Sequence, residues 1–217
     1  MPVRRSASIP RAGIRCLLAA LALAFLTVAC SGSGQQYVKS SDDRTYFKVP
    51  DGWKLYDEGS IIGGNKDLSD EQRDNILSTS WRTAFDASPE PNLHHLFSAA
   101  TLYPTGLALV DHLSPDDADA VSDQVLRNDF LPVDNASDAG QLEMLSYERV
   151  NPGGGFHGIR FRARITSMAD SEVYAEGPAF TFEQISLLNQ ARDKSYSLIV
   201  MCSSTCFEKH ADRIEGV

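Results

Sequence analysis

Gln141–Thr166, QLEMLSYERVNPGGGFHGIRFRARIT, is the stretch that decides the fold. Its second half alternates without a break. Ile159, Phe161, Ala163 and Ile165 face one way, and Arg160, Arg162 and Arg164 face the other, the period of a strand with one buried side. Gln141 to Val150 forms the partner strand, and Asn151-Pro152-Gly153-Gly154-Gly155 between them is turn chemistry, so the two form an antiparallel hairpin.

Working outward, Ala179 to Leu188 and Tyr196 to Cys202 read as two further strands. Leu198-Ile199-Val200-Met201 is apolar throughout, which predicts a central strand covered on both faces. Towards the N-terminus, Thr45 to Val49 and Trp53 to Tyr56 read as strands around the Pro50-Asp51-Gly52 turn, with Trp53 in the core. Ile61 to Gly64 reads as a loop or short strand, and His95 to Tyr103 and Gly106 to Leu113 as strands.

Three helices separate these groups. Ser69 to Gln72 fits a capping box, and Leu77, Trp81, Ala84 and Phe85 follow at helical spacing, predicting a helix that ends near Ser88-Pro89. Ser114-Pro115 opens a second helix, with Asp116, Asp117 and Asp119 at its positive end and Ala118, Val121, Val125 and Leu126 on its buried face. Thr205 to Glu208, another capping-box pattern, opens the last, with Phe207, Ala211 and Ile214 on one face. Strands in runs, with few parallel crossovers, predict an α+β fold: a mostly antiparallel sheet packed with helices.

Tyr46-Phe47-Lys48-Val49-Pro50-Asp51-Gly52-Trp53 resembles the opening strand and turn of the PsbP/Mog1-like fold. Tyr196 to Val200, then Cys202-Ser203-Ser204-Thr205-Cys206-Phe207 and a helix, resembles the close of bacterial lipoproteins of that kind. The resemblance spans most of residues 44–217 and implies an α/β/α sandwich. It also implies a final strand after the last helix, where this chain stops at Val217. The roles it implies are mostly non-catalytic: assembly factors, accessory subunits and binding proteins.

The N-terminus speaks to location. Arg4, Arg5, Arg11 and Arg15 precede a 13-residue apolar run, Leu17 to Ala29, followed by Cys30 and the small polar SGSGQQ. A spanning helix needs about 20 residues, so the run predicts a removed signal over residues 1–29. Leu26-Thr27-Val28-Ala29-Cys30 resembles a bacterial lipobox, with leucine one place early. Cys30 is then the lipidated residue, residues 30–43 a flexible tether, and 44–217 a single domain on the outer face of the cytoplasmic membrane. Ordinary cleavage after Ala29, giving a free secreted protein, is the alternative.

The whole chain carries −9, and the predicted signal removes four arginines and no acid, leaving −13 on about 188 residues. So acidic a surface disfavours nucleic acid and direct adsorption to anionic lipid. The expected partners are the membrane, through the lipid, and another envelope protein or a small ligand.

Cys202 and Cys206 are the remaining even pair, and an oxidising compartment favours a structural disulfide closing the strand–helix turn. Redox or soft-metal chemistry with His210, or free thiols, are the alternatives. Adjacent His94 and His95 would point apart on a strand and make poor joint ligands. The triple glycine precedes a strand rather than the helix N-terminus a phosphate loop needs. Asp116 to Asp123 lacks the glycine and glutamate of a calcium loop. No nucleophile motif is present.

Arg160, Arg162 and Arg164 are the strongest surface candidate. Three guanidinium groups on one face require carboxylates, such as Glu143, Glu148 or Glu183, or else form an anion or acidic-partner surface. These residues predict no catalytic site, cofactor or metal. They lead to a non-enzymatic binding or accessory module, with an envelope redox or metal-handling protein, or an enzyme with a dispersed site, as alternatives.

Overall fold

The computed structural model describes residues 34–63, 68–98, 101–166 and 179–217. Cys30 and the signal lie outside the described residues. The first element is a two-stranded antiparallel ribbon, β1 (Gln35–Ser40) and β2 (Thr45–Pro50). The main sheet holds β3 (Lys54–Tyr56), β4 (Ser80–Asp86), β5 (Thr105–His112), β6 (Leu142–Gly153), β7 (Phe156–Ile165), β8 (Phe180–Leu188) and β9 (Lys194–Ser203), in the order β3-β4-β5-β9-β8-β7-β6. Every neighbouring pair is antiparallel. The protein is α+β.

The β6–β7 hairpin is as its sequence predicts. Gly153 pairs with Phe156, leaving Gly154-Gly155 as a two-residue loop. Both have positive φ (64° and 83°), the region that mirror-image hairpin turns require and that glycine enters without strain. β9 lies centrally between β5 and β8, and Ile199, Val200 and Met201 are all buried.

Two cores sit on the two faces. One packs Ile159, Phe161, Ala163 and Ile165 of β7 with Phe180, Phe182, Ile199, Leu126 and Val133. The other packs Val49, Trp53, Phe85, Val200, Phe207 and Ile214. Gly106 lets the sheet close here: a Cβ would stand 2.2 Å from the Phe85 ring and 2.5 Å from the Ile199 carbonyl.

The helices are short: α1 (Glu58–Gly63), α2 (Asp70–Thr79), α3 (Pro115–Ala120), α4 (Asp123–Arg127), α5 (Val133–Asp138), α6 (Ser204–Lys209) and α7 (Ala211–Ile214). The capping boxes and proline entry decide their starts. Ser69 accepts from the Gln72 amide while Gln72 reaches back, and Ser114 accepts from Asp117.

Several expectations are corrected. The predicted tether of residues 30–43 is a strand from Gln35 to Ser40, because Gln35 to Ser40 finds backbone partners along the whole of β2. α2 stops at Thr79 rather than near Ser88-Pro89. Trp81, Ala84 and Phe85 belong to β4, where hydrogen-bonded neighbours on both sides outweigh a periodicity that also fits a helix. Leu93–Phe97 is a 3-10 turn rather than the start of a strand. The fully buried Asp86 carboxylate accepts the Ser88 and Asn92 amides and meets His95 Nδ1 at 2.7 Å, folding this segment back on itself. Ile61 and Ile62 lie in α1. The second predicted helix is split at Val121-Ser122 by a new cap, leaving Val125 exposed and Leu126 buried. α5 was not anticipated. The last helical pair starts at Ser204, capped by Ser203, rather than at Thr205.

Candidate functional site

β4, β5 and β9 contribute one wall of a cavity, and α1 and α2 the other. Ile61, Ile62, Leu68 and Ile76 come from the helical side, and Leu107, Leu109, Ile199 and Met201 from the strands. The cavity has a volume of about 420 Å³. The strand residues reach it because alternate positions of paired strands share a face. Its walls are aliphatic apart from Phe130 and two charged groups, Arg82 and Asp129.

Those groups belong to a wider cluster. Arg82 donates to the Ser80 hydroxyl (2.6 Å), and its Nε lies 3.8 Å from Glu58. Burial raises the Glu58 pKa against the pull of Arg82. Burial also raises that of Asp111, helped by the charge of Asp129 and opposed by Arg82. Burial of the Asp129 carboxyl raises its pKa too, with the Ser197 hydroxyl opposing. Ser197 continues into a buried polar chain: it hydrogen-bonds Ser186 at 2.9 Å, and Gln184 Nε2 donates to Ser186 and to the Leu126 carbonyl. A concave apolar space with a few convergent polar groups of raised pKa is the usual form of a small-ligand site.

The arginine stripe lies on the opposite face, and acids surround it. Glu183 of β8 receives Arg160 Nε at 2.6 Å and Arg162 Nη2 at 2.6 Å. Arg162 also reaches Glu215 at 3.4 Å and lies over the Phe207 ring at 5.1 Å. Arg164 meets Glu143 at 3.2 Å and Glu208 at 3.8 Å. A smaller cavity of about 290 Å³ opens beside Arg160 and Glu183, walled by Ile185, Leu198, Val200 and Ile214.

A third cluster ties the ribbon to the sheet. The Asp43 carboxylate, 4% exposed, accepts from Lys194 Nζ at 2.7 Å and from Ser40, and meets His112 Nε2 at 2.7 Å. Burial alone would raise its pKa, but Lys194, His112 and Ser40 together bring it down to about 2.

Cys202 and Cys206 form a disulfide joining the end of β9 to α6, and both are buried. His94 and His95 sit in the 3-10 turn, His95 on Asp86. Among the described residues no group of three His, Cys, Asp or Glu could hold a metal ion, and no helix is long and apolar enough to cross a membrane.

Sequence reasoning missed Arg82, Glu58, Asp111 and Asp129. The readable signal was an arginine set among Trp81, Ala84 and Phe85, which assignment to a helix placed on an exposed side.

No family model matches the chain, and no curated protein matches it. Solved structures do. The cyanobacterial PsbP protein (CyanoP) of Synechocystis sp. PCC 6803 is 14% identical, with a TM-score of 0.47, over 86% of this chain and 92% of its own. A protein of unknown function from Pseudomonas aeruginosa, described as a putative regulator, is 12% identical, with a TM-score of 0.41, over 84% and 92%. The Saccharomyces cerevisiae Ran-binding protein Mog1p is 8% identical, with a TM-score of 0.43, over 83% and 82%.

Proposed function

We propose that this is a membrane-tethered binding module of the bacterial envelope, anchored by lipid on Cys30, that holds a small apolar ligand between α1, α2 and the sheet. The observation that carries the binding role is the largely apolar cavity of about 420 Å³ with Arg82 and Asp129 at its wall. Asp43, Asp86 and Glu183, away from the cavity, are engaged in ties within the fold. The anchor rests on the basic, apolar and cysteine segments of residues 1–30. The redox alternative is weakened by the burial of Cys202 and Cys206, since thiol exchange needs access to sulfur.

Two measurements test the two halves. Metabolic labelling with a fatty-acid analogue should mark the wild type and not Cys30→Ala; label persisting in the variant removes the anchor. For the cavity, the neutral dye phenylnaphthylamine should bind saturably with enhanced fluorescence. Leu107→Trp, which fills the space, should abolish this, while Arg162→Ala on the other face should not. Wild-type binding by Leu107→Trp refutes the assignment.

A further inference from the structure

The outward face of the β1–β2 ribbon carries Tyr37, Lys39, Tyr46 and Lys48 in a checkerboard. Tyr37 pairs with Lys48 and Lys39 with Tyr46 across the two strands. Tyr37 and Tyr46 are 59% and 67% exposed, among the most exposed large side chains described. Their ring centroids are 6.1 Å apart, and the Lys48 amine sits 5.6 Å from the Tyr37 ring. The four form one amphipathic patch. Along the ribbon's own sequence the acids are at its ends: Asp42 beside Arg44 at the tip, Asp51 at the base, while Asp43 turns inward to Lys194.

We propose that this patch is the surface by which the domain lies on anionic phospholipid. The proposal rests on the lipid at Cys30, and two observations carry it further. Gln35 opens β1 only five residues after Cys30, a reach of at most about 18 Å, so the ribbon is the part of the fold held against the bilayer. A mature chain at −13 is repelled by anionic lipid almost wherever it turns, and this face offers two lysines and no acid. Tyrosine belongs at the headgroup level, with an apolar ring and a polar tip, and lysine meets the phosphates at the end of an apolar stem. The tether keeps the patch at high local concentration, so weak contacts suffice. The domain would thus be held with one orientation, ribbon down.

Lysine acetylation footprinting tests this with native side chains. Among the described residues both cores are built from residues 38–217, and the chain from residue 31 retains them. An N-terminal histidine tag in place of Cys30 binds it to vesicles through a nickel-chelating lipid. The test is therefore independent of acylation, which the labelling experiment decides separately. On vesicles of phosphatidylcholine and phosphatidylglycerol in equal parts, Lys39 and Lys48 should react at least about fivefold more slowly than in solution. Lys209, exposed on α6, should not change. Tyr37→Ser with Tyr46→Ser should remove most of the protection, as should about 1 M salt, which shortens the screening length to about 3 Å. Unprotected Lys39 and Lys48, or equal protection of Lys209, overturns the surface. Equal protection on pure phosphatidylcholine overturns its preference for anionic lipid.

Discussion

Replacing Asp43 by asparagine should cost the protein about 2 kcal/mol at neutral pH, and the cost should vanish in acid. The carboxylate is almost fully buried, and its pKa falls from 3.8 to about 2 because Lys194, His112 and Ser40 outweigh the burial penalty. A lowered acid pKa means that the unfolded chain binds the proton more tightly than the folded one. The stabilisation is therefore complete above the unfolded value and is lost as pH falls through the folded value. At about 1.4 kcal/mol per unit, the shift is worth about 2 kcal/mol near pH 6 and under about half a kcal/mol at pH 2. Asp43→Asn keeps the shape and one acceptor but leaves Lys194 without its anion, so the loss at neutral pH should be at least this large. Urea unfolding of both proteins in steps from pH 6 to pH 2 measures it. The two midpoints should be well separated at pH 6 and converge towards pH 2. Equal midpoints at pH 6, or a gap that persists unchanged at pH 2, would refute the account of this cluster.

Arg162→Ala should cost about 1.5–2 kcal/mol in chemical denaturation, because it loses both the Glu183 pair and the packing over Phe207; Arg162→Lys should recover part of that. An unchanged midpoint would show the pairing to be no stronger than an ordinary surface ion pair. Replacing Cys202 and Cys206 together by serine should lower stability by about 2 kcal/mol or less, since the loop between them is short. Intact mass of the protein purified without reductant should show the native pair oxidised, and two alkylatable thiols would contradict it.

Local rules sufficed where one residue's chemistry leaves one answer. Gly153-Gly154-Gly155 could only be the turn of a hairpin once alternating strands flanked it. Ser69 with Gln72, and Ser114 with Pro115, start helices wherever they stand, because their side chains satisfy amides that would otherwise be left open. The alternation from Ile159 to Ile165 made the sheet's two faces readable, and with them the arginine stripe and the acids near it.

Tertiary structure decided what local spacing leaves degenerate. Trp81, Ala84 and Phe85 fit a helix by period, and only the backbone groups of β3 and β5, offered from distant parts of the chain, made them β4. Polar Gln35 to Ser40 reads as linker until β2 supplies its ladder and Asp43 is drawn in by Lys194, 151 positions away. The cavity is the extreme case. Its walls come from Ile61 to Met201, and the pKa values of Glu58, Asp111 and Asp129 are raised chiefly because folding strips water from carboxylates that are ordinary in the chain.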